Sequence, residues 1–272
     1  MTGPVTHWPG LSVQRDGQRR VLRSLPEETP VAMVFDGTTQ AVMMASPQDL
    51  TDFAHGFAVT EGFIETLDQI EEFEIAEHET GIEARFWLSA DRAEALAKRR
   101  RRMAGPVGCG LCGIDSLEEA ARALPVLPET GPLLTSADVA GATDALRAFQ
   151  PLHDQTHAVH AAGFLMPGQG IVLAREDVGR HNALDKLIGA LALAGIDAGQ
   201  GAFVLTSRVS LEMVQKTVIA GCPVLIAVSA PTAHALRQAD AANLTVAAFA
   251  RGGGFDLYSH PDRIQTGAFD VA

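Results

Sequence analysis

The chain has 272 residues and is 47% hydrophobic, enough to bury a substantial core in one large α/β domain or two smaller ones. Its formal net charge of -12 argues against a general binder of nucleic acid or membrane surfaces, because polyanions are held by an excess of Lys and Arg. Any anionic ligand must therefore be held locally. Residues 1–20 lack the apolar core of a signal peptide and no later stretch approaches about 18 apolar residues, which predicts a cytoplasmic protein.

In chain order, residues 1–25 read as a polar N-terminal tail, and 26–124 as an α+β part that carries a cysteine loop at 103–115. Within that part, Val31–Phe35 and Ala41–Met44 form two predicted strands around the turn Asp36-Gly37. Ser46 is the expected N-cap of the next helix, with Pro47 in its first turn and Leu50, Phe53, Ala54 and Phe57 on one face. Residues 71–88 read as a second strand pair. Ala90–Met103 reads as a helix whose basic end, Lys98–Arg102, offsets the helix dipole.

Residues 125–135, with several Pro and Gly, are the expected linker to a C-terminal α/β part over 136–272. There, apolar runs of strand length at 171–174, 202–205, 224–228 and 244–249 alternate with helical patterns at 180–194, 209–220 and 232–241. Such alternation predicts a layered α/β/α sheet. In these sheets anions gather where a strand ends and a helix begins, since the helix N-terminus presents free N–H groups. The junctions Glu176–His181, Thr206–Ser210 and Ser229–Thr232 have this form. Arg180, His181, Ser207 and Arg208 are thus candidate contacts to a nucleotide-bearing ligand.

Three cysteines are too few for a disulfide framework, and a close pair in a reducing compartment is more often catalytic or metal-binding. Cys109 and Cys112 sit among Gly105, Gly108, Gly110 and Gly113, so their backbone is conformationally permissive. Ser116 and Glu119 form a predicted capping box that starts the next helix beyond both cysteines. Arg99–Arg102 and that helix start would lower a thiol pKa and populate the nucleophilic thiolate. This arrangement suits a sulfur carrier, in which the second cysteine exchanges sulfur as in a disulfide.

A structural zinc site normally needs four ligands and only one pair is present. Thioredoxin-type chemistry usually begins the helix within the motif, against the capping box. Cys222, before Pro223, reads as a buried small hydrophobe. The spacing of His153, His157 and His160 alone does not bring three ligands to one point, so no metal is expected there.

On these residues the sequence resembles the formate dehydrogenase accessory sulfurtransferase family. The matching blocks are Ser46–Leu50, His55–Phe57, Thr60–Gly62, the Gly108–Gly113 loop, Arg175–Lys186, Ser207–Lys216, Val228–Thr232, and Phe249–Arg251 with Tyr258–Ile264 behind it. The resemblance implies a fold similar to cytidine deaminases and a homodimer. It also implies sulfur taken from a cysteine desulfurase and passed to the bis(molybdopterin guanine dinucleotide) form of the molybdenum cofactor, so that a formate dehydrogenase becomes active. By the same resemblance Cys109 bears the persulfide, Cys112 is its partner, and Phe249, Ala250, Arg251, Gly252, Gly253 and Gly254 contact the cofactor. That agrees with chemistry, since glycines after a strand let N–H groups approach a pyrophosphate and Arg251 can pair with it.

The chain departs from the family pattern at two places. Thr156–Val159 stands where a Gly-Gly pair commonly precedes the His-Ala-Ala of His160–Ala162, and Thr206-Ser207-Arg208 stands where the family commonly has Ser-Gly-Arg, so that Ser207 replaces a glycine with a side chain that could clash with a phosphate or cap the helix. A rival function is a cofactor chaperone that delivers the dinucleotide without sulfur chemistry. Another is a zinc deaminase, whose His-x-Glu and Pro-Cys-x-x-Cys signature is missing because Val107 and Gly108 precede Cys109.

Overall fold

The computed structural model describes residues 3–94 and 123–266. The predicted helix over 90–103 is described only for 90–94, which are helical, and the cysteine loop with its capping box lies outside the described residues.

The chain is α/β. Strands β3 (Thr29–Phe35), β4 (Thr38–Ala45), β5 (Ile70–His78) and β6 (Gly81–Leu88) form a four-stranded sheet in the order β4-β3-β6-β5. Helix α1 (Leu50–Thr60) covers one face of it, and Phe53, Phe57, Val31, Met33, Phe35 and Phe86 make a shared apolar core. Burying each such side chain stabilises by roughly 1.5–3 kcal/mol.

The larger sheet has six strands: β8 (His160–Met166), β9 (Gly170–Asp177), β10 (Ala202–Leu205), β11 (Val224–Ala227), β12 (Thr245–Arg251) and β13 (Gly254–Ser259). Their order is β13-β12-β11-β10-β8-β9. Its short central strands are buried on both faces, so they read as continuous apolar runs. Phe203, Leu205, Leu225 and Ala227 pack under helices α4 (Arg180–Leu193), α5 (Leu211–Ile219) and α6 (Ala233–Ala241). Ala202, Val204, Val224 and Ile226 face the opposite way, onto α2 (Ser136–Arg147). The expected layered arrangement is therefore present. Two short elements complete it: β7 (Leu134–Thr135) pairs with β14 (Ile264–Gln265), and α3 (Pro151–Thr156) follows α2. Among the described residues no helix is long and apolar enough to cross a membrane.

Two sequence expectations change. Residues 1–25, read as a polar tail, hold most of a β-hairpin of β1 (Val5–Gln14) and β2 (Gly17–Pro26) about the turn Arg15-Asp16; Leu11 and Val13 before the turn and Val21 and Leu25 after it, each pair at an even spacing, carry that signal. Ser46 does not cap α1, which starts at Leu50 behind Asp49 in a left-handed conformation (φ 52°) with no side-chain cap. The Ser46 hydroxyl instead accepts from the Val178 N–H at 3.1 Å.

Helices α1 and α4 touch backbone to backbone. A Cβ on Gly56 would lie 1.8 Å from the Asp185 carbonyl oxygen, and one on Gly189 would lie 1.9 Å from that of Asp52. Only glycine allows this approach, which locks the small sheet's helix onto the large sheet. Gly56→Ala is expected to lower the urea-unfolding free energy by at least ~2 kcal/mol through overpacking. Gly141→Ala in α2, where an added Cβ meets nothing, is expected to raise it by ~0.5–1 kcal/mol.

Candidate functional site

Strands β10, β11 and β12 are mutually parallel, and β8 runs against both β10 and β9. The C-terminal ends of β9, β10, β11 and β12 therefore share one edge, with His160 at the start of β8 between the first two. Hydrogen bonds stitch the loops along this edge. The Thr206 N–H donates to the Ala161 carbonyl (3.2 Å), Val209 to Ala230 (3.2 Å), Thr232 to Val209 (3.0 Å) and Phe249 to Ser229 (3.3 Å). From the β12 end to the β9 end is four strand spacings, about 19 Å at ~4.8 Å each.

At the β9 end, a buried knot sets the geometry. Asp177 and Lys186 are fully buried and paired at 2.7 Å. The Asp177 carboxylate also accepts from the N–H groups of Ser46 (2.9 Å) and Gly179 (2.8 Å) and from Asn182 Nδ2 (3.0 Å). Lys186 Nζ donates to the Ser46 carbonyl (3.0 Å). Asn182 Nδ2 reaches the Met44 carbonyl as well, at 2.8 Å. Next to it, the buried Glu176 carboxylate accepts from the first N–H groups of α3, at Leu152 and His153, both 2.8 Å. Arg175 pairs with Asp52 of α1 at 2.7 Å. Most of the Arg175–Lys186 block is thus committed to holding the fold.

Arg180 and His181 remain, in the first turn of α4. The buried Arg180 Nε and His181 Nε2 atoms have no hydrogen-bond partner among the described residues. His181 Nε2 lies 4.0 Å from the Glu212 carboxylate of α5. Burial, reinforced by Arg180, lowers the His181 pKa to about 4, so its imidazole is neutral at physiological pH. Burial and Arg180 also lower that of His160. Glu212 carries no obvious sequence signal, since an acidic residue in a helix's first turn usually serves the dipole.

Behind these residues lies a second buried cluster. Lys216 Nζ bonds Asp185 (2.9 Å), Glu61 (2.7 Å) and Thr60 Oγ1 (2.9 Å), linking α5, α4 and the end of α1. A lysine within the otherwise apolar inner face of α5 was its only sequence signal.

At the β10 end, Ser207 is buried and its hydroxyl donates to the Arg208 carbonyl (3.1 Å), while Arg208 is exposed. Ser207, where the family commonly has glycine, thus caps no helix, and its neighbour Thr206 accepts from the Ala161 N–H at 2.9 Å and ties β10 to β8. Within the Thr156–Val159 segment that replaces the family's glycine pair, His157 adopts φ 55°, a left-handed conformation that glycine takes up more readily, whereas Ala158 and Val159 have no positive φ. His153 and His157 meet edge-on. Among the described residues no group of three His, Cys, Asp or Glu side chains could hold a metal ion.

At the far end, the predicted contact stretch is a bulged hairpin between β12 and β13. Phe249 is half-buried with φ 54°, the register shifts between Ala248 and Arg251, and the Ala250 carbonyl accepts from Thr143 Oγ1 at 2.6 Å. Arg251, Gly252, Gly253 and Gly254 are exposed. Gly252 (φ 61°) and Gly253 (φ 80°) occupy the left-handed region that a side chain disfavours.

The fold and this edge define an α/β protein with exposed arginines at strand ends and, at α4 and α5, helix N-termini that no N-cap side chain satisfies. A model of the FdhD/NarQ family matches residues 26–265, and the chain belongs to that family. It is 52% identical over 242 residues to "Sulfur carrier protein FdhD" of Agrobacterium fabrum, covering 89% of both chains. To the protein of the same name from Brucella abortus biovar 1 it is 52% identical over 254 residues, covering 93% of this chain and 94% of the other. Among solved structures, a candidate formate dehydrogenase accessory protein from Desulfotalea psychrophila shares the fold. Its TM-score is 0.76 at 23% identity, over 96% of this chain and 99% of that one.

Two outcomes follow from the buried groups. Lys186→Met leaves the Asp177 carboxylate buried without its cation, and is expected to cost ~3–5 kcal/mol in urea unfolding at pH 7. For His181, the folded pKa of about 4 lies below the unfolded ~6.5, so its contribution to stability is complete above about pH 6.5 and is lost as pH falls toward 4. That loss is on the order of 2–3 kcal/mol at ~1.4 kcal/mol per pH unit. Burial lifts Asp185 to about 6; it takes up its proton earlier in the folded state and opposes this trend. Comparing His181→Gln with wild type isolates the histidine, and the variant is expected to lose less stability between pH 6.5 and 4.5.

Proposed function

We propose that this chain carries sulfur for a formate dehydrogenase, as a persulfide on Cys109. The observation that carries the reading is its 52% identity, over nearly nine-tenths of both chains, to relatives named as sulfur carrier proteins, together with a glycine-flanked cysteine pair. The Cys109 thiolate attacks the outer sulfur of a persulfide on a cysteine desulfurase. The donor S–S bond breaks, the desulfurase cysteine leaves as thiolate, and Cys109 holds the new S–S bond. When the acceptor takes the outer sulfur, the Cys109 S–S bond breaks, Cys109 leaves with its electron pair as thiolate, and the acceptor in its reduced form supplies the electron pair for its new bond to sulfur; Cys112 exchanges sulfur with Cys109 by the same thiolate attack.

The acceptor in this reading is the molybdenum bis(molybdopterin guanine dinucleotide) cofactor, handled as substrate. The sheet edge suits an elongated anionic molecule. Arg251 and the Gly252-Gly253-Gly254 backbone would meet a pyrophosphate at one end, with Phe249 and Ala250 setting the bulge that presents them. Ser207 and Arg208 lie midway, and Arg180 and His181 offer unfulfilled polar atoms at the other end. A neutral His181 donates or accepts a hydrogen bond without adding charge. The work takes place in the cytoplasm, on a homodimer.

Incubation with a cysteine desulfurase and cysteine is expected to add one sulfur atom by intact mass, and Cys109→Ala to abolish the addition. An unloaded wild type would falsify the reading. Activation of formate dehydrogenase in cells by a Cys109→Ala/Cys112→Ala variant would instead establish simple cofactor delivery.

A further inference from the structure

The β1–β2 hairpin ends where the family-matched segment begins and, among the described residues, pairs with no other strand. Ten residues per strand make it about 33 Å long, and a two-stranded ribbon is marginally stable in water without a third strand or a covering helix. Its cover is small: Thr6 Oγ1 donates to Glu27 (2.9 Å), Glu27 N–H donates to the Pro4 carbonyl (2.9 Å), and the short helix α3 packs against β2 and, to a lesser extent, β1. Trp8, Leu11, Val13 and Leu22 are 59–67% exposed. Leu11, Val13 and Leu22 lie on one face, and Trp8 lies opposite Arg23 on the other. Four arginines (15, 19, 20 and 23) stand against Asp16 alone, in a chain of net charge -12. None of the four forms an ion pair with a described residue.

The complementary surface is on the same molecule. Strand β5 is an edge of the four-stranded sheet, so one row of its backbone groups has no strand beside it among the described residues. It carries Glu71, Glu72, Glu74 and Glu77, whereas β4 at the opposite edge carries no charge. Glu71 and Glu72 are exposed and form no ion pair with a described residue. Such charges guard an edge against like strands and admit a basic one.

We infer that the hairpin is a docking arm for a second copy of this chain, adding its strands to the β5 edge of that copy while its arginines meet Glu71 and Glu72. The exchange is reciprocal, so one contact type closes a two-fold dimer. An anionic membrane or nucleic acid fits less well, because the acidic body would be repelled from either. The inference rests on the homodimer in the proposed function and names its contact.

Sedimentation equilibrium of the full chain at low salt tests it. Wild type is expected to be dimeric. Arg19→Glu/Arg23→Glu and, separately, Glu71→Lys/Glu72→Lys are each expected to weaken the dimer at least tenfold with unchanged urea midpoints. Combining all four substitutions is expected to restore association to within about threefold of wild type. A dimer unaffected by either reversal, or not restored by the combination, overturns the arm contact while leaving the homodimer standing. A monomeric wild type overturns both, and so does a monomer whose hairpin arginines serve instead to sediment it with phosphatidylserine vesicles.

Discussion

A lysine with no solvent exposure, held against an equally buried aspartate, is the constraint on which the rest of the architecture turns. Desolvating two charges costs several kcal/mol per ion, recovered only when every remaining lone pair and proton finds a partner. The chain meets that condition by drawing in three separate segments: the Ser46 backbone from before α1, the end of β9, and the first two turns of α4. Because the partners are so distant in sequence, the ion pair can be satisfied in only one relative placement of the two sheets. The glycine contact between α1 and α4 then removes the sliding freedom that longer side chains would leave.

That knot explains the division of labour at the sheet edge. Its members point inward, which leaves Arg180 and His181, one and two residues after the capping Gly179, directed to the ends of the parallel strands. Within a molecule of acidic character, arginines and the N-termini of α4 and α5, which no N-cap side chain satisfies, are placed where short strands stop. The same principle places Arg251 at the end of β12, where a bulge and two left-handed glycines turn the chain before it returns as β13.

Much of this was legible in the sequence. Strands β9 to β12 and helices α4 to α6 followed from apolar runs alternating with 3.6-residue patterns, because doubly buried strands and amphipathic helices leave unmistakable periods. Helix α2 and strand β8 were not found. The first buries mainly Val139, Ala142 and Leu146, and the second is built from Ala, Gly and only three large apolar residues; neither shows a strong period. The N-cap expected at Ser46 failed because a tertiary partner outcompeted the local one. At the site, the junction residues were visible as small and basic groups after strands. Glu212 and the Lys216 cluster were not, since their meaning depends on which helices become neighbours. The charged block Arg175–Lys186 suggested chemistry, yet most of its side chains serve structure.

The third cysteine stands apart from all of this. Cys222 has no exposed surface, its thiol donates to the Val224 carbonyl at 3.3 Å, and burial pushes its pKa up to about 12. Almost none of it is ionised at neutral pH, and no reagent reaches it without unfolding the sheet's core. The protein therefore contains its own silent reference thiol: alkylation or sulfuration of the native molecule leaves position 222 blank, and its labelling reports denaturation instead.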